Sequence, residues 1–464
     1  MVVGGGVAGL VAARDLAGDF DVTVLEAAPE TGGKLRGAEV GGLSVDVGAE
    51  AMLHRRAEGV ALARELDLPI VHPTGAASQV WSRGALRPLP RSLMGVPLDL
   101  DQLEASGLLS DEGLARVRAE PSLPLTELTE RPELADDVTV GDLVAGRLGD
   151  EVVDRLVDPL LGGVYAGHAR ELSARAAVPQ LLAMARRGSL VEQGAAMTRV
   201  EGPVFAGIDG GMYRLTEALA ATPGVIVRTG ATGRALARTE NGFRLTVGST
   251  REPESMEAEA VVLATPAAPT ARLLRDVAPH AADELAAVES ASVAVVTLAF
   301  RGVSRRWPGQ PPQPAEGMSG FLVPLVEGRV IKAATFSFAK WDWVRAAGAG
   351  DGLQVLRTSI GRHREESALQ VPDDELVRRS LVDLAEIVGL RDAPVDTHVQ
   401  RWGGALPQYA LGHVDRVARV RSSVADVPGL AVCGAAYDGV GIPAVVASAH
   451  AAAAQVRTAH WGHE

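Results

Sequence analysis

The residues most able to do chemistry stand at the start of the chain. Gly4-Gly5-Gly6-Val7-Ala8-Gly9 has glycines at its first, third and sixth positions, followed by the helical run Leu10 to Leu16 and the apolar strand Val22 to Leu25, which ends in Glu26. In this strand-loop-helix-strand order the first glycine makes a tight turn, the second admits a pyrophosphate to the backbone, and the third lets helix and strand pack closely. The helix N-terminus adds partial positive charge. Glu26, 22 residues after Gly4, stands where a carboxylate accepts ribose hydroxyls and would repel a 2′-phosphate, so the implied ligand fragment is ADP-ribose. Three glycines in a chain with 52 of them also fit an ordinary strand-to-helix turn; the acidic strand end in register favours the dinucleotide reading. Thr31-Gly32-Gly33-Lys34 follows, a second glycine pair past which a cofactor can lie, with Lys34 able to reach a phosphate.

With this second motif the sequence resembles the flavoprotein superfamily of amine oxidases, phytoene desaturases and porphyrinogen oxidases, which implies FAD rather than NAD. Asp46 to Ala51 follows a short strand, and its small residues suit a loop against a flat ring. Leu98 to Gly149 alternates amphipathic helical patterns with Pro-rich breaks and reads as a helical region. Gly210 to Tyr213 and a helix lead to the strand Val225 to Val227, and runs Phe243 to Val247 and Ala260 to Leu263 read as a returning small sheet. Strand patterns span Ser292 to Phe300 and Val330 to Phe338, with helices expected at Leu353 to Gly361 and Asp373 to Val388. The longest low-complexity stretch is Pro308 to Pro314. Leu430 to Gly434 is a further buried strand, and Gly439-Val440-Gly441-Ile442-Pro443 opens a C-terminal helix whose N–H groups could meet the flavin pyrimidine.

The expected fold class is α/β: a discontinuous Rossmann-like FAD-binding domain (residues 1–80, 205–265 and 400–464), an α+β substrate domain (81–95 and 266–399) and a mainly helical insert (96–204). The first strand is only Met1 to Val3, so a few residues are expected upstream of this numbering.

Four further segments narrow the resemblance: Asp158 to Gly167 with Leu172-Ser173-Ala174-Arg175, Arg401-Trp402 with Ala405 to Tyr409, Gly412-His413, and Gly434 to Pro443. Together they resemble the oxygen-dependent protoporphyrinogen and coproporphyrinogen III oxidases of haem biosynthesis, over nearly the whole chain. The resemblance implies that Gly4, Gly5, Gly6, Val7, Ala8, Gly9, Glu26, Ala27 and Lys34 hold the ADP half of a non-covalent FAD. It places Gly48, Ala49, Glu50, Ala51, Trp402, Ala435, Val440, Gly441 and Ile442 along the flavin, and Gly233 at the adenine, where relatives often have Val. Mitochondrial and plant relatives carry a propionate-binding arginine in a stretch matching Ser78 to Trp81; its absence here favours the bacterial coproporphyrinogen-oxidising branch. The implied reaction removes six electrons from a porphyrinogen and reduces three dioxygen to hydrogen peroxide, chemistry the flavin carries, so no general base is named.

A substrate with four carboxylates needs local cations. Arg55 and Arg56 follow the flavin-side loop, and Arg83, Arg87 and Arg91 follow Trp81; the alternative for each is solvated surface charge. Arg175 is expected to hold the helical region together. His54 and His413 are the acid-base suspects, although lone histidines are mostly structural; the ten histidines lack metal-ligand spacing, and His460 and His463 read as a frayed tail. Cys433 reads as a packed thiol.

Composition bounds the rest. With 464 residues, two or three domains are expected. The net charge of -13 and the lack of basic runs argue against nucleic acid. One cysteine permits neither an internal disulfide nor a multi-thiolate metal site, so a cytoplasmic setting fits best. No apolar run reaches transmembrane length, and no secretory signal is present. Peripheral membrane contact, ferrochelatase contact and the preference between coproporphyrinogen III and protoporphyrinogen IX stay open. The rivals are an amine oxidase or carotenoid-type desaturase, for which four tyrosines and seven phenylalanines make an aromatic cage thinly supplied, and a non-catalytic porphyrin carrier. An NAD-dependent dehydrogenase would leave the second glycine motif unexplained.

Overall fold

The computed structural model describes residues 1–124, 134, 136–198, 201–301 and 317–461. The Pro308 to Pro314 stretch and His463 lie outside them.

Short buried apolar strands pair in parallel when helices cover both faces. Here five strands do so, in the order Val225–Arg228, Val22–Leu25, Val2–Val3, Val261–Leu263, Leu430–Val432, the first of them a partly exposed edge strand. Helices Val7–Leu16 and Ile442–Trp461 pack together on one face, sharing a core of Leu10, Val11, Val446 and Ala449. The other face carries helices Ala267–Leu274, Pro279–Ala286 and His413–Ala425, together with an antiparallel sheet of Gly233–Thr239, Gly242–Gly248 and Pro253–Ala258. The α/β class with a Rossmann-like domain and a helical insert is therefore the observed one. Two details of the returning sheet differ from expectation. Val261–Leu263 joins the parallel sheet, because its three residues are all buried, and the third small strand is the mostly exposed Pro253–Ala258.

A second sheet has seven strands in the order Asp396–Pro407, Ser290–Arg301, Leu353–Ile360, Ile331–Thr335, Met318–Leu322, Ala77–Ser82, Ala85–Pro88. The helix expected at Leu353 to Gly361 is thus a strand. Its alternating burial satisfies a period of two, and its backbone is paired on both sides, with Ser290–Arg301 and Ile331–Thr335. The Val330 to Phe338 strand is shorter than expected, ending at Thr335 before the turn of helix Ser337–Lys340. Helix Asp373–Ile387 covers one face of this sheet through Leu376, Leu384 and Ile387.

The helical region includes Leu100–Ser106, Asp111–Ala119, Val140–Leu148, Asp158–Tyr165, Pro179–Ala185 and Leu190–Ala196 around its own core. Buried Arg147 is held there by Glu120 at 3.2 Å and by the carbonyls of Gly188 and Ala185.

Candidate active site

The N-terminal loop leaves strand Val2–Val3 at Gly4, whose φ of +112° and close approach to the Ala264 carbonyl admit no side chain. A Cβ on Gly9 would stand 1.9 Å from the Gly4 carbonyl oxygen, so this glycine is what lets helix Val7–Leu16 sit on the loop. At Gly6 an added Cβ meets only the Gly33 Cα, at 3.7 Å: the chain's own packing does not demand this glycine. Gly6 is also the helix N-cap and offers no side-chain acceptor, so the first-turn N–H groups have no capping side chain. That is a cradle suited to a phosphate.

Glu26 anchors the loop by accepting the N–H of Gly5 on Oε2 and of Ala28 on Oε1, both at 2.7 Å. A carboxylate has about four acceptor sites, so both oxygens retain capacity for ribose hydroxyls. Exposed Ala27 lies between the two anchors, and Ala231 N–H donates to the Glu26 carbonyl, which brings Gly233 over Val3. The second glycine motif docks on the first through the Gly32 N–H to Gly5 carbonyl bond, 2.8 Å. The Lys34 ammonium has no side-chain partner among the described residues, and burial lowers its pKa to about 8. An uncompensated cation beside the cradle fits an anionic cofactor.

The other end of the site is the loop after strand Leu430–Val432. Gly434, at φ +125°, lies near Ala8, so that an added Cβ would stand 3.9 Å from the Ala8 Cβ, and Ala8, Cys433 and Ala435 share one apolar cluster. The loops at the two ends of the chain thus meet. Tyr409 Oη donates to the Ala435 carbonyl at 2.6 Å, and half-buried Val440 packs against the helical core, with exposed Gly441 and buried Ile442 after it. Cys433 is buried, and burial raises its thiol to about 12, as a packed thiol should be.

Between these ends runs Gly48 to Ala51. A Cβ on Gly48 would come within 2.1 Å of the Lys34 carbonyl, which Ala49 N–H already uses, so this loop lies directly on the second glycine motif. The Glu50 carboxylate meets Lys340 Nζ at 2.6 Å and Arg357 Nη2 at 2.9 Å. Burial pushes its pKa up, but Arg357 and Lys340 outweigh that and hold it at about 2. Arg357 also donates to the carbonyls of Gly48 and Asp46. The sequence reading missed this junction because Arg357 lies in the segment taken for a helix.

Trp402 is half-buried against Ala166 and Val293, with the Arg36 guanidinium 5.9 Å from its ring. Arg55 and Arg56 are both exposed, and Arg56 pairs with Glu58 at 2.9 Å. Arg83, Arg87 and Arg91 donate to the carbonyls of Leu109, Ser82 and Met197. Arg175 pairs with Asp415 at 2.9 Å, tying the helical region to helix His413–Ala425. His54 packs edge-on to His72, and His413 stacks on Tyr409 with centroids 4.0 Å apart.

The segments that carried the family resemblance interlock. Gln408 Nε2 donates to the Tyr165 carbonyl, Gly167 leaves room for Gln408 Oε1, and Ser173 N–H donates to the Tyr409 carbonyl. Ser173 also caps helix Ala174–Ala177. Among the described residues no cluster of metal-ligating side chains occurs, and no helix is long and apolar enough to cross a membrane.

A flavin-binding fold with two glycine loops and a closing C-terminal loop defines the class, and comparison with known proteins agrees. The flavin containing amine oxidoreductase family model matches residues 7–457, and the chain belongs to that family. Within it the chain belongs to the branch of oxygen-dependent coproporphyrinogen and protoporphyrinogen oxidases. It is 38% identical over 466 residues to the coproporphyrinogen III oxidase of Mycobacterium tuberculosis (strain ATCC 25618 / H37Rv), covering 98% of this chain and 96% of the relative. It is 27% identical over 480 residues to that of Bacillus subtilis (strain 168), covering 99% and 97%. A solved structure of a candidate protoporphyrinogen oxidase from Exiguobacterium sp. 255-15 superposes with a TM-score of 0.83 at 30% identity, over 98% of this chain and 97% of that one. Cyclohexylamine oxidase from Brevibacterium oxydans IH-35A shares the fold, with a TM-score of 0.69 at 18% identity over 100% and 99%.

Proposed function

We propose that this protein is a FAD-dependent oxidase that converts coproporphyrinogen III to coproporphyrin III, with three dioxygen reduced to three hydrogen peroxide. The observation that carries the reading is the close approach of the loop around Gly434 to Ala8, with Ala8, Cys433 and Ala435 in one apolar cluster, which sets the C-terminal loop beside the N-terminal glycine loop. End-to-end similarity to coproporphyrinogen III oxidases supports the choice of substrate. In this reading Gly4 to Gly9, Glu26, Ala27 and Lys34 hold the ADP portion, with Gly233 at the adenine. Gly48, Ala49 and Ala51, Trp402, Ala435 and Val440 to Ile442 line the isoalloxazine, and Glu50 fixes that lining from behind. FAD supplies hydride acceptance and electron transfer to dioxygen. The chain's residues would hold the macrocycle beside the bound ring system and exclude water.

An amine oxidase is less well supported. Tyr165 and Tyr409, a ring pair 5.4 Å apart beside the C-terminal loop, are both buried, and Tyr409 spends its hydroxyl on Ala435. The decisive test is to mix the purified protein with anaerobically prepared coproporphyrinogen III and admit oxygen. Yellow protein, rising porphyrin fluorescence and peroxide release are expected, faster than with protoporphyrinogen IX. Fluorescence that rises no faster than autoxidation would overturn the assignment.

A further inference from the structure

The arginines that the sequence offered for substrate carboxylates are poorly placed for the task, since Arg55 and Arg56 are exposed and Arg83, Arg87 and Arg91 are engaged by backbone carbonyls. A different pair of cations is buried at the middle of the seven-stranded sheet, on and just beyond two neighbouring central strands. Lys332, on strand Ile331–Thr335, is 7% exposed, and Arg362, just past strand Leu353–Ile360, is 6% exposed. The Lys332 ammonium has no hydrogen bond or ion pair among the described residues. Arg362 donates to the Val323 carbonyl at 3.1 Å and has one carboxylate in ion-pair range, Glu365 at 3.8 Å. Asp158 also acts on Arg362. Burying a cation without a close counter-charge costs several kcal/mol, so a like-charged neighbour makes Lys332 expensive unless something else compensates it. Burial first, and Arg362 second, lower the Lys332 pKa to about 7.

The placement relative to the flavin end is specific. Trp402 pairs with Val293, the adjacent Ala294 with Ile360, and Ile360 with Ile331, so Lys332 lies one residue from a row that starts at Trp402. Three interstrand steps span about 14 Å, a distance suited to a macrocycle whose edge is at the flavin and whose carboxylate arms reach away. Helix Asp158–Tyr165 lies over this row. Its first residue faces Arg362 electrostatically, Ala166 just beyond its end packs on Val293 beside Trp402, and the Ala166 carbonyl accepts the His363 N–H at 2.7 Å.

We propose that Lys332 and Arg362 form the subsite that takes a propionate carboxylate of the porphyrinogen, a deeper assignment that rests on the porphyrinogen reading above. The arriving carboxylate supplies the counter-charge the chain withholds.

The test uses the FAD-loaded protein and its Lys332→Met and Lys332→Gln variants. Affinity is measured for coproporphyrin III and for its uncharged tetramethyl ester by fluorescence quenching, alongside KM and kcat for coproporphyrinogen III. Loss of one charge-assisted contact should raise KM and the Kd of the acid about tenfold, leave kcat within about twofold, and leave the Kd of the ester unchanged. If both variants bind acid and ester as the wild type does, or weaken both equally, the subsite is refuted. Lys332→Gln keeps a polar side chain and supplies the same comparison should Lys332→Met lose its flavin. A wild type that binds coproporphyrin III in a Lys332-dependent way but turns over no porphyrinogen would sink the oxidase reading and keep the subsite. A wild type that binds neither acid nor ester would sink the subsite.

Discussion

His413 illustrates how a titratable residue becomes structural. It is 1% exposed, lies nearly parallel to the Tyr409 ring, and burial lowers its pKa to about 4. The unfolded chain binds a proton at this residue below its ordinary value of 6.5, and the folded chain does not until about 4. Stability from this site is therefore complete above 6.5 and is lost as pH falls toward 4. Between pH 8 and pH 5 the wild type should lose about 2 kcal/mol that a His413→Phe variant, which keeps the stack, does not; urea melts at both pH values check the difference. An equal loss in both proteins would show that His413 is protonated in the fold. The sequence named His413 as a suspect acid or base, and nothing in a linear string says that a ring will be walled in. By contrast Gly4, Gly9 and Glu26 were legible, because their roles are local: a turn, a close approach and a strand-end carboxylate within one βαβ unit.

At the scale of elements, the glycine loop works only if helix Val7–Leu16 can approach it. A Gly9→Ala substitution puts a Cβ 1.9 Å from the Gly4 carbonyl and should drive the helix off the loop. We expect the purified variant to retain under about a tenth of the flavin at nearly unchanged far-UV circular dichroism, a loss of the order that a displaced phosphate cradle would cause; full visible absorbance would contradict it. The strand Leu353–Ile360 shows the opposite situation. Its sequence, Leu-Gln-Val-Leu-Arg-Thr-Ser-Ile, carries apolar residues that fit a helical stripe as readily as an interrupted alternation. What decides is the two strands, Ser290–Arg301 and Ile331–Thr335, that satisfy its backbone on both edges, and those lie outside the segment itself.

Over the whole molecule, the Gly48 to Ala51 loop is tied to the seven-stranded sheet by a triad in which buried Glu50 meets Lys340 and Arg357. Removing Arg357 leaves the Glu50 carboxylate with Lys340 as its one remaining counter-charge among the described residues. Arg357→Met should therefore destabilise the protein by about 3 kcal/mol, while the Glu50→Gln/Arg357→Met double variant recovers part of that loss; thermal melts of the four proteins of the cycle measure it, and strict additivity would argue against the coupling. Glu50, held at about 2 against an ordinary 4.5, contributes stability that is present above 4.5 and lost as pH falls toward 2. The sequence by itself determined the N-terminal glycine turn, the class of fold and the family, because each is written in short motifs whose backbone geometry is self-contained. Tertiary structure decided which charges are buried and with whom. Lys332, Arg362, Glu50 and Arg357 acquire their roles from strands and helices brought together across the chain, and a charge's surroundings, unlike a glycine's φ, are not a local property.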